Sequence, residues 1–368
     1  MNGENMSIKA LCITSHSDRP EAETLVGLQK KGVEIDIIAH PGGFNNLIYE
    51  DSGVPLTTHT IKSRFDLAAI KLIRNKLAAG NYDILHVFNN KALSNALIAA
   101  IGFPVKIVAY RGIVGNVSFF DPASWMTWLN PRINKIICVA EAIRQHFLQM
   151  HFLGVKMNPQ RFVTIHKGHK LSWYQNPCNN LTKFNIPDDA FVVGCIANIR
   201  PRKGIHVLIE AASYIPEDSN IHFLLIGNMD SNSLKKQIER SPFSKHFHLT
   251  GFRKNAPAII GGCDLSVLPA LKREGLPKVV IESMAYGVPA IVTDSGGSPE
   301  LIEPGKSGLV VPPGDAKAIA DAIMSLYTDR EKCRQMGAEA KKRINTEFNN
   351  RMTIEKTFEL YQELDGKQ

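Results

Sequence analysis

Short apolar runs alternate with longer amphipathic segments along most of the chain. In the first half, strand-length runs rich in β-branched residues recur, and segments with a helical period separate them. The runs are IKALCIT, VEIDIIA, YDILHVF, KIVAY, KIICVA and RFVTIHK. Because strands that alternate with helices pair in parallel, this half predicts one doubly wound α/β sheet.

The alternation stops at residues 169–190, a polar stretch with two prolines that is typical of a linker. It then starts again, with strand-like runs at FVVGCIANI, IHFLLIG, HFHLTG, DLSVLPA, AIVTD and GLVVPP. We therefore predict an N-terminal Rossmann-like domain at 1–168 and a second one at 191–348. A C-terminal helix at 349–368 is expected to pack back toward the first domain.

Two doubly wound domains in tandem predict a central cleft that both domains face, with ligands at the carboxyl ends of the strands. Nucleotide-sugar glycosyltransferases, two-domain dehydrogenases and two-lobed solute-binding proteins share this architecture. No strand-to-helix turn carries the G-x-G-x-x-G pattern of a dehydrogenase. The N-terminus lacks a secretory signal, which argues against a solute-binding protein and predicts a cytoplasmic location.

Composition narrows the class of protein further. The 368 residues are 44% hydrophobic and 21% charged, as in soluble globular proteins, and no apolar stretch is long enough to span a bilayer. Six cysteines lie without C-x-x-C pairing, mostly in strand-like runs, so we expect buried, reduced thiols.

The net charge of +8 is concentrated in the first half. Residues 1–175 carry 19 − 12 = +7, and residues 176–368 carry 24 − 23 = +1. No basic cluster interleaved with aromatics is present, so we expect no nucleic-acid partner. The basic half is open to three interpretations: a peripheral contact with anionic membrane, an acidic ligand, or a solvated face.

The stretch EGLPKVVIESMAYGVPAIVTDSGGSPELI, at 274–302, contains two glutamates in the spacing E-x7-E. It resembles the retaining glycosyltransferases of family four, which have the GT-B fold. The similarity runs from IANIRPRKGIHVLIEA to GKSGLVVPPGDAKAIADAI and more faintly through the N-terminal half. The resemblance implies that a hexosyl unit is transferred, with retention, from a nucleotide-diphosphate sugar to a glycan or glycolipid acceptor. Bacterial lipopolysaccharide, O-antigen or capsule biosynthesis is the expected context.

The two glutamates resemble the family's donor-binding acids. Glu274 corresponds to the acid that holds hydroxyls of the donor sugar, and Glu282 to the acid that binds the ribose. Because Glu282 lies on an otherwise apolar stretch, we expect a ligand to satisfy its charge. Pro277 suits a helix start, so N–H groups near Gly275 and Leu276 are expected to bind the donor as well.

Cations are needed where negative charge develops on the departing diphosphate. Lys203 matches the family's lysine. The commoner family spacing would place the arginine where Asn198 stands, so Arg200 is our assignment, with Arg202 left open.

Three further sets of residues are candidates for donor binding. Gly296 and Gly297 let backbone approach a phosphate closely, and Glu300 is either a ligand-binding acid or a favourable charge at a helix start. The segment around Gly251 and Phe252 corresponds to the part of the family that binds the base, although Phe252 is also compatible with the core.

The N-terminal half departs from the family pattern. A Gly-Gly loop after the first strand is common in the family, but this chain has TSHSDRPEAE there. His16 and Ser17 of this loop offer hydrogen-bond donors to the nucleotide sugar or to the acceptor substrate. Arg111 stands where the family often has a histidine, and it is either a ligand contact or a salt-bridge partner.

No D-x-D motif occurs, so we expect no metal and no cofactor, with a UDP- or GDP-linked sugar as substrate. The enzyme alternative is a GT-B nucleotide-sugar 2-epimerase. A non-catalytic nucleotide-sugar-binding protein is the alternative from another class.

Overall fold

The structure is a computed structural model that describes residues 7–152, 154–229 and 231–366. The first six residues, MNGENM, which bear on the expected absence of a signal, lie outside this range. The chain divides into unit 1, Met1–Gly168 with Asn350–Gln368, and unit 2, His169–Asn349.

Unit 1 is built on parallel strands. Its strands are β1 (Lys9–Ile13), β2 (Glu34–Ala39), β3 (Leu56–Thr58), β4 (Ile84–Val87), β5 (Lys106–Arg111), β6 (Ile133–Cys138), β7 (His151–Phe152), β8 (Val155–Lys156) and β9 (Phe162–Thr164). Strands β7 and β8 form a separate antiparallel hairpin. The others form one sheet in the order β3-β2-β1-β4-β5-β6-β9, in which every pair is parallel.

Helices follow the strands of unit 1. They are α1 (Arg19–Lys30), α2 (Asn46–Asp51), α3 (Leu67–Gly80), α4 (Asn90–Ala99), α5 (Pro122–Trp125) and α6 (Glu141–Gln149). Four of them begin at a side chain that accepts a backbone N–H of the first turn, namely Asp18, Asp66, Asn89 and Asp121. Each cap sets the residue at which a loop at the carboxyl edge of the sheet ends and the next helix begins.

Unit 2 repeats the same plan. Its strands are β10 (Phe191–Ile196), β11 (Ile221–Ile226), β12 (Phe247–Gly251), β13 (Leu265–Leu268), β14 (Ala290–Thr293) and β15 (Gly308–Val311). Its helices are α7 (Ile205–Ala211), α8 (Asn232–Glu239), α9 (Ala256–Ile260), α10 (Lys278–Tyr286), α11 (Ala316–Tyr327) and α12 (Arg330–Thr346). The sheet order is β12-β11-β10-β13-β14-β15, again with only parallel pairs.

Both sheets therefore contain six strands in the order 3-2-1-4-5-6 within their own unit, which is the dinucleotide-binding arrangement, and unit 1 adds β9 beside β6. The order reverses beside the first strand, between β1 and β4 in unit 1 and between β10 and β13 in unit 2. The predicted fold class, two Rossmann-like doubly wound domains, is confirmed.

The segment 169–190, predicted as a linker, belongs to unit 2. Tyr174 is buried against α10, and Leu181 and Ile186 are buried against β10 and β11. The backbone N–H of Cys178 also donates to the carbonyl of Ala258 at 2.7 Å. Because this segment is polar on average, the sequence analysis overlooked its few apolar side chains, which cover part of the core of unit 2.

The last helix, α13 (Asn350–Asp365), is part of unit 1 and packs on α1. Gly27 of α1 lies so close that a Cβ there would come within 2.2 Å of Ile354. Tyr361 is fully buried, and its hydroxyl lies 2.7 Å from Nδ1 of His86 on β4. Burial lowers the pKa of His86 to about 3, so the imidazole is neutral, and its Nδ1 shares a hydrogen bond with the tyrosine hydroxyl.

The six cysteines are free thiols, and all but the half-buried Cys178 are buried. Burial raises the pKa of Cys12 and Cys138 to about 12, so these thiols stay protonated and unreactive. Across the described ranges, no helix combines the length and the apolar character needed to cross a bilayer.

Tyr361→Phe removes the partner of a buried imidazole while keeping the ring. We expect the free energy of unfolding to fall by about 1–3 kcal/mol, because His86 Nδ1 is left unsatisfied. Urea unfolding followed by circular dichroism measures this change. Tyr214→Phe, at an exposed tyrosine of unit 2, is the control and should change stability by less than about 0.5 kcal/mol. Equal stabilities of the two variants would contradict the assigned hydrogen bond.

Candidate functional site

The loops that follow β10 and β13 bring the main charged residues of unit 2 together. These strands flank the point where the strand order reverses, which is the usual place for a ligand at the carboxyl edge of a doubly wound sheet. Residues 197–204 follow β10 and residues 269–277 follow β13. Arg202 and Lys203 come from the first loop, and Glu274 comes from the second.

Glu274 lies between the two cations. Its side chain is buried, with 5% of the residue exposed. Its Oε1 lies 2.9 Å from Nζ of Lys203 and 3.2 Å from Nη1 of Arg202, and Lys203 Nζ also donates to Oε2 at 3.1 Å. One carboxylate against two cations leaves one net positive charge in a partly desolvated place. This charge suits an anionic ligand, because the attraction between opposite charges is stronger where the fold has already excluded part of the water.

Glycines make the approach of the loops to each other feasible. Gly204 has φ 68°, and a Cβ there would lie 1.9 Å from the carbonyl oxygen of Pro269. The N–H of Leu271 donates to the carbonyl of Arg202 at 2.8 Å and joins the same loops. Any side chain at position 204 would therefore push Lys203 away from Glu274.

A second glycine supports Glu274 from the other side. Gly296, after β14, has φ 58°, and a Cβ there would lie 2.0 Å from the carbonyl oxygen of Glu274. The N–H of Gly297 donates to that same oxygen at 3.3 Å. The sequence predicted that these glycines let backbone approach a phosphate. In the structure, the close approach of the Glu274 backbone already explains why glycine is present here. Arg273 also adopts a left-handed φ of 65°, so the chain is strained immediately before Glu274.

The structure favours Arg202 over Arg200 as the arginine of this cluster. Arg200 is exposed and precedes the short 3-10 turn Pro201–Lys203, whereas Arg202 lies within that turn and pairs with Glu274. Asn198, at the commoner family position, is exposed. The basic run RPRK did not reveal which arginine a 3-10 turn directs toward Glu274, and the contact of Arg200 with a diphosphate stays a prediction.

Glu282 has a partner in its own helix. It is 5% exposed, and Lys278, one turn earlier, places Nζ 3.2 Å from its Oε1. The sequence analysis overlooked this i,i+4 lysine when it expected a ligand to satisfy the charge of Glu282, and the ligand contact itself stays a prediction. The side chain of Lys278 is half-exposed.

The start of α10 offers backbone donors beside Glu274. The helix runs from Lys278, and its first backbone bonds are donated by Val280 and Ile281 to the carbonyl of Pro277. Pro277 is thus the capping residue rather than the first helical one. Gly275 and Pro277 are buried and Leu276 is half-buried, which holds the N–H groups of this turn in place.

Two buried serines next to the glycine pair were missed by the sequence analysis. Ser295 is 4% exposed and Ser298 is fully buried, and within the described residues neither hydroxyl has a hydrogen-bond partner. Buried hydroxyls normally find a partner, so these two are unused donors close to the Glu274 backbone. The pattern S-G-G-S was the signal that could have identified them.

The remaining candidates of unit 2 lie around the same edge. Glu300 is half-buried in the 3-10 turn Pro299–Leu301, where Arg343 donates to its carbonyl at 3.0 Å. Gly251 ends β12 with φ 68° and accepts the N–H of Gly227 at 3.0 Å. Phe252 is 72% exposed, so it does not belong to the core, and its ring is available for stacking.

The candidates of unit 1 have internal partners. Arg111 is 3% exposed, donates to the carbonyls of Ile113 and Gly115, and lies 4.7 Å from the ring centre of Trp128. Burial lowers its pKa to about 10, which leaves it charged at neutral pH. Arg111 therefore holds its own loop through backbone carbonyls, an arrangement that neither of the two interpretations from the sequence, a ligand contact or a salt bridge, had included.

His16 and Ser17 differ in their accessibility. Ser17 is buried, and its hydroxyl lies 2.7 Å from that of Thr14 and 2.8 Å from that of Tyr49. His16 is exposed, and its ring centre lies 4.4 Å from that of His40. Only His16 of this pair presents a polar group to solvent.

Comparison with known proteins identifies families and relatives of similar architecture. A family model described as "Glycosyl transferases group 1" matches residues 179–343, and one described as "Glycosyltransferase Family 4" matches residues 22–172. The capsular polysaccharide biosynthesis glycosyltransferase CapM of Staphylococcus aureus is 23% identical over 92% of this chain and 93% of its own length. The UDP-Gal:alpha-D-GlcNAc-diphosphoundecaprenol alpha-1,3-galactosyltransferase of Escherichia coli is 23% identical over 92% of this chain and 94% of its own.

Among solved structures, Anabaena Alr3699/HepE in complex with UDP superposes with a TM-score of 0.79 at 21% identity, covering 97% of this chain and all of that one. This likeness concerns the fold. The Family 4 model falls on unit 1, apart from its last four residues, and the group 1 model falls on unit 2. Both agree with the resemblance carried by the E-x7-E stretch. The chain belongs to the family-four type of glycosyltransferases, with the GT-B fold.

Proposed function

We propose that this glycosyltransferase moves a hexosyl unit, with retention, from a nucleotide-diphosphate sugar to a glycan or lipid-linked acceptor in bacterial surface-polysaccharide biosynthesis. The observation that carries the proposal is the carboxylate of Glu274 held between Arg202 and Lys203 at the strand-order reversal. The names of the relatives support the context, since CapM acts in capsule biosynthesis and the E. coli relative uses UDP-Gal and a diphosphoundecaprenol acceptor.

The charges of the site account for the binding of the donor. The diphosphate lies against Arg202 and Lys203, which exchange part of their contact with Glu274 for phosphate oxygens. Glu274 then accepts hydrogen bonds from hydroxyls of the donor sugar, and Glu282 accepts those of the ribose. N–H groups at the start of α10 and the hydroxyls of Ser295 and Ser298 supply neutral donors.

The reaction conserves atoms and charge as follows. The bond between the anomeric carbon and the diphosphate oxygen breaks, and the acceptor oxygen forms its bond to that carbon on the same face. The acceptor proton passes to an oxygen of the departing nucleoside diphosphate. Arg202 and Lys203 stabilise the charge that develops on the leaving oxygen, so the proposed mechanism assigns no step to a metal ion.

We further propose a cytoplasmic enzyme that contacts anionic membrane through unit 1. The basic excess of the first half supports this, and so does a surface cluster of four aromatic side chains, Phe119, Phe120, Trp125 and Phe152. Phe120 is 85% exposed, and its ring lies 5.5 Å from that of Phe152. Exposed aromatics beside a basic surface are typical of interfacial anchoring.

Glu274→Gln tests the site. The change keeps the shape but removes the carboxylate, so we expect turnover to fall by about 100-fold or more, while UDP binds as well as before or more tightly beside two unneutralised cations. Nucleotide release is measured with UDP-, GDP- and ADP-sugars, with and without acceptors, in the presence of EDTA. Glu210→Gln, at an exposed position of α7, is the matched control.

The same panel separates the alternatives. Release that requires an acceptor supports transfer, whereas conversion of the donor without acceptor indicates an epimerase. Tight binding without turnover of any donor indicates a non-catalytic protein. Absence of donor binding, or full activity of Glu274→Gln, contradicts the assignment.

The double variant Phe120→Ser/Phe152→Ser tests the membrane contact. We expect flotation with phosphatidylglycerol vesicles to drop severalfold, because the apolar anchors are lost while the basic charge is kept. Tyr214→Ser, at an exposed aromatic of unit 2, should float like the unchanged protein, and raised salt should weaken flotation of both. Undiminished flotation of the double variant would argue against this surface.

A further inference from the structure

Unit 1 contains a cavity of 590 Å³ at the carboxyl edge of its sheet. Loops after four neighbouring strands line it. Residues 14–16 follow β1, His40 follows β2, residues 59–62 follow β3, and Asn89 with Lys91 follow β4. The reversal of strand order between β1 and β4 lies at this place, so the cavity occupies in unit 1 the position that the Glu274 cluster occupies in unit 2.

The lining is cationic and rich in hydrogen-bonding nitrogen. It includes the imidazoles of His16, His40 and His59 and the ammonium groups of Lys62 and Lys91. No carboxylate is among the described residues that line it. Asp66 interacts electrostatically with His59 but does not line the cavity, and its carboxylate accepts the N–H groups of Lys62, Ala68 and Ala69.

Two nitrogen atoms of this lining lack a partner among the described residues. Asn89 uses its Oδ1 to cap α4 by accepting the N–H of Ala92 at 2.9 Å, which leaves its buried Nδ2 without an acceptor. Nε2 of His59 is likewise buried and unpartnered. Buried polar atoms are rarely left unpaired in a native fold, and both atoms belong to residues that line the same cavity.

Several contacts hold the polar groups in position. Lys91 Nζ donates to the carbonyl of Lys62 at 3.1 Å, which joins the loops after β3 and β4. Nδ1 of His40 accepts the N–H of Gly42 at 3.0 Å, and its ring packs on that of His16. The cavity is therefore a built feature of the fold, and its volume exceeds that of a phosphate group and accommodates an attached sugar.

We propose that this cavity binds the phosphate group of a phosphorylated sugar acceptor. The inference rests on the proposed function and specifies the class of its acceptor. A phosphate brings two negative charges to Lys62 and Lys91 and several acceptor oxygens to Asn89 and the imidazoles, whereas a neutral glycan leaves the cations without a counter-charge. A phosphate has two sources in the reaction, the acceptor and the donor diphosphate, and we assign the cavity to the acceptor because Arg202 and Lys203 already serve the donor.

The test measures binding of glucose 1-phosphate to the full chain by titration calorimetry, with unit 2 saturated by UDP and with glucose as the uncharged control probe. Lys62→Met and His16→Ala remove exposed side chains, so neither change threatens folding. Each should weaken glucose 1-phosphate about tenfold, the effect of one lost charge-assisted hydrogen bond. Lys106→Met, at the amino end of β5 on the opposite edge of the sheet, should change the affinity less than twofold.

Three results would overturn the proposal: no binding of glucose 1-phosphate, unchanged affinity in both variants, or equal binding of glucose. UDP affinity in the absence of sugar phosphate decides between the two sources. It should be unchanged in Lys62→Met, and a loss there would assign the cavity to the donor instead. Sugar-phosphate binding that follows this pattern without any transfer would keep the cavity and refute the proposed function. Transfer with an unchanged acceptor KM in Lys62→Met would support the proposed function and refute the role of the cavity.

Discussion

The architecture of the site depends on one buried carboxylate, Glu274, between two cations from a different loop. Burying three charges is costly unless they are paired, so the loops after β10 and β13 must keep their spacing. Gly204 and Gly296 make that spacing feasible, because a Cβ at either position would collide with backbone of the β13 loop. The glycines, the strained Arg273 and the 3-10 turn before Gly204 all serve this one contact.

The paired state also prepares the site for its substrate. Arg202 and Lys203 are held in place by Glu274, so under the proposed function little side-chain entropy remains to be lost when they turn to a diphosphate. The three side chains together carry one net positive charge, which is enough to attract an anion. Glu274 meanwhile keeps the two cations from being unpaired in a partly buried place. Unit 1 uses the same position in its sheet differently, since its edge carries histidines and lysines with no carboxylate among the described lining residues.

Strand-helix alternation is a local signal, so the sequence predicted the fold. The E-x7-E stretch is also local and singled out Glu274 and Glu282, whose roles toward a donor stay predictions. Sequence patterns were insufficient for features that depend on tertiary contacts. The polar segment 169–190 concealed Tyr174 and Leu181, which are buried in unit 2. The choice between Arg200 and Arg202 depended on the direction of side chains in a 3-10 turn. Arg111 was left open as a ligand contact or a salt-bridge partner, because its bonds to backbone carbonyls two and four residues away depend on the loop conformation.

The central claim is that Arg202, rather than Arg200, joins Lys203 on the diphosphate. The affinity of UDP for Arg202→Met and Arg200→Met tests it most directly, since both arginines lie in the same loop and differ in their contact with Glu274. We expect UDP to bind Arg202→Met at least about tenfold more weakly, because the site then has no net positive charge, and Arg200→Met within about twofold of the unchanged protein. A loss confined to Arg200→Met, or equal affinities in both variants, would contradict the account.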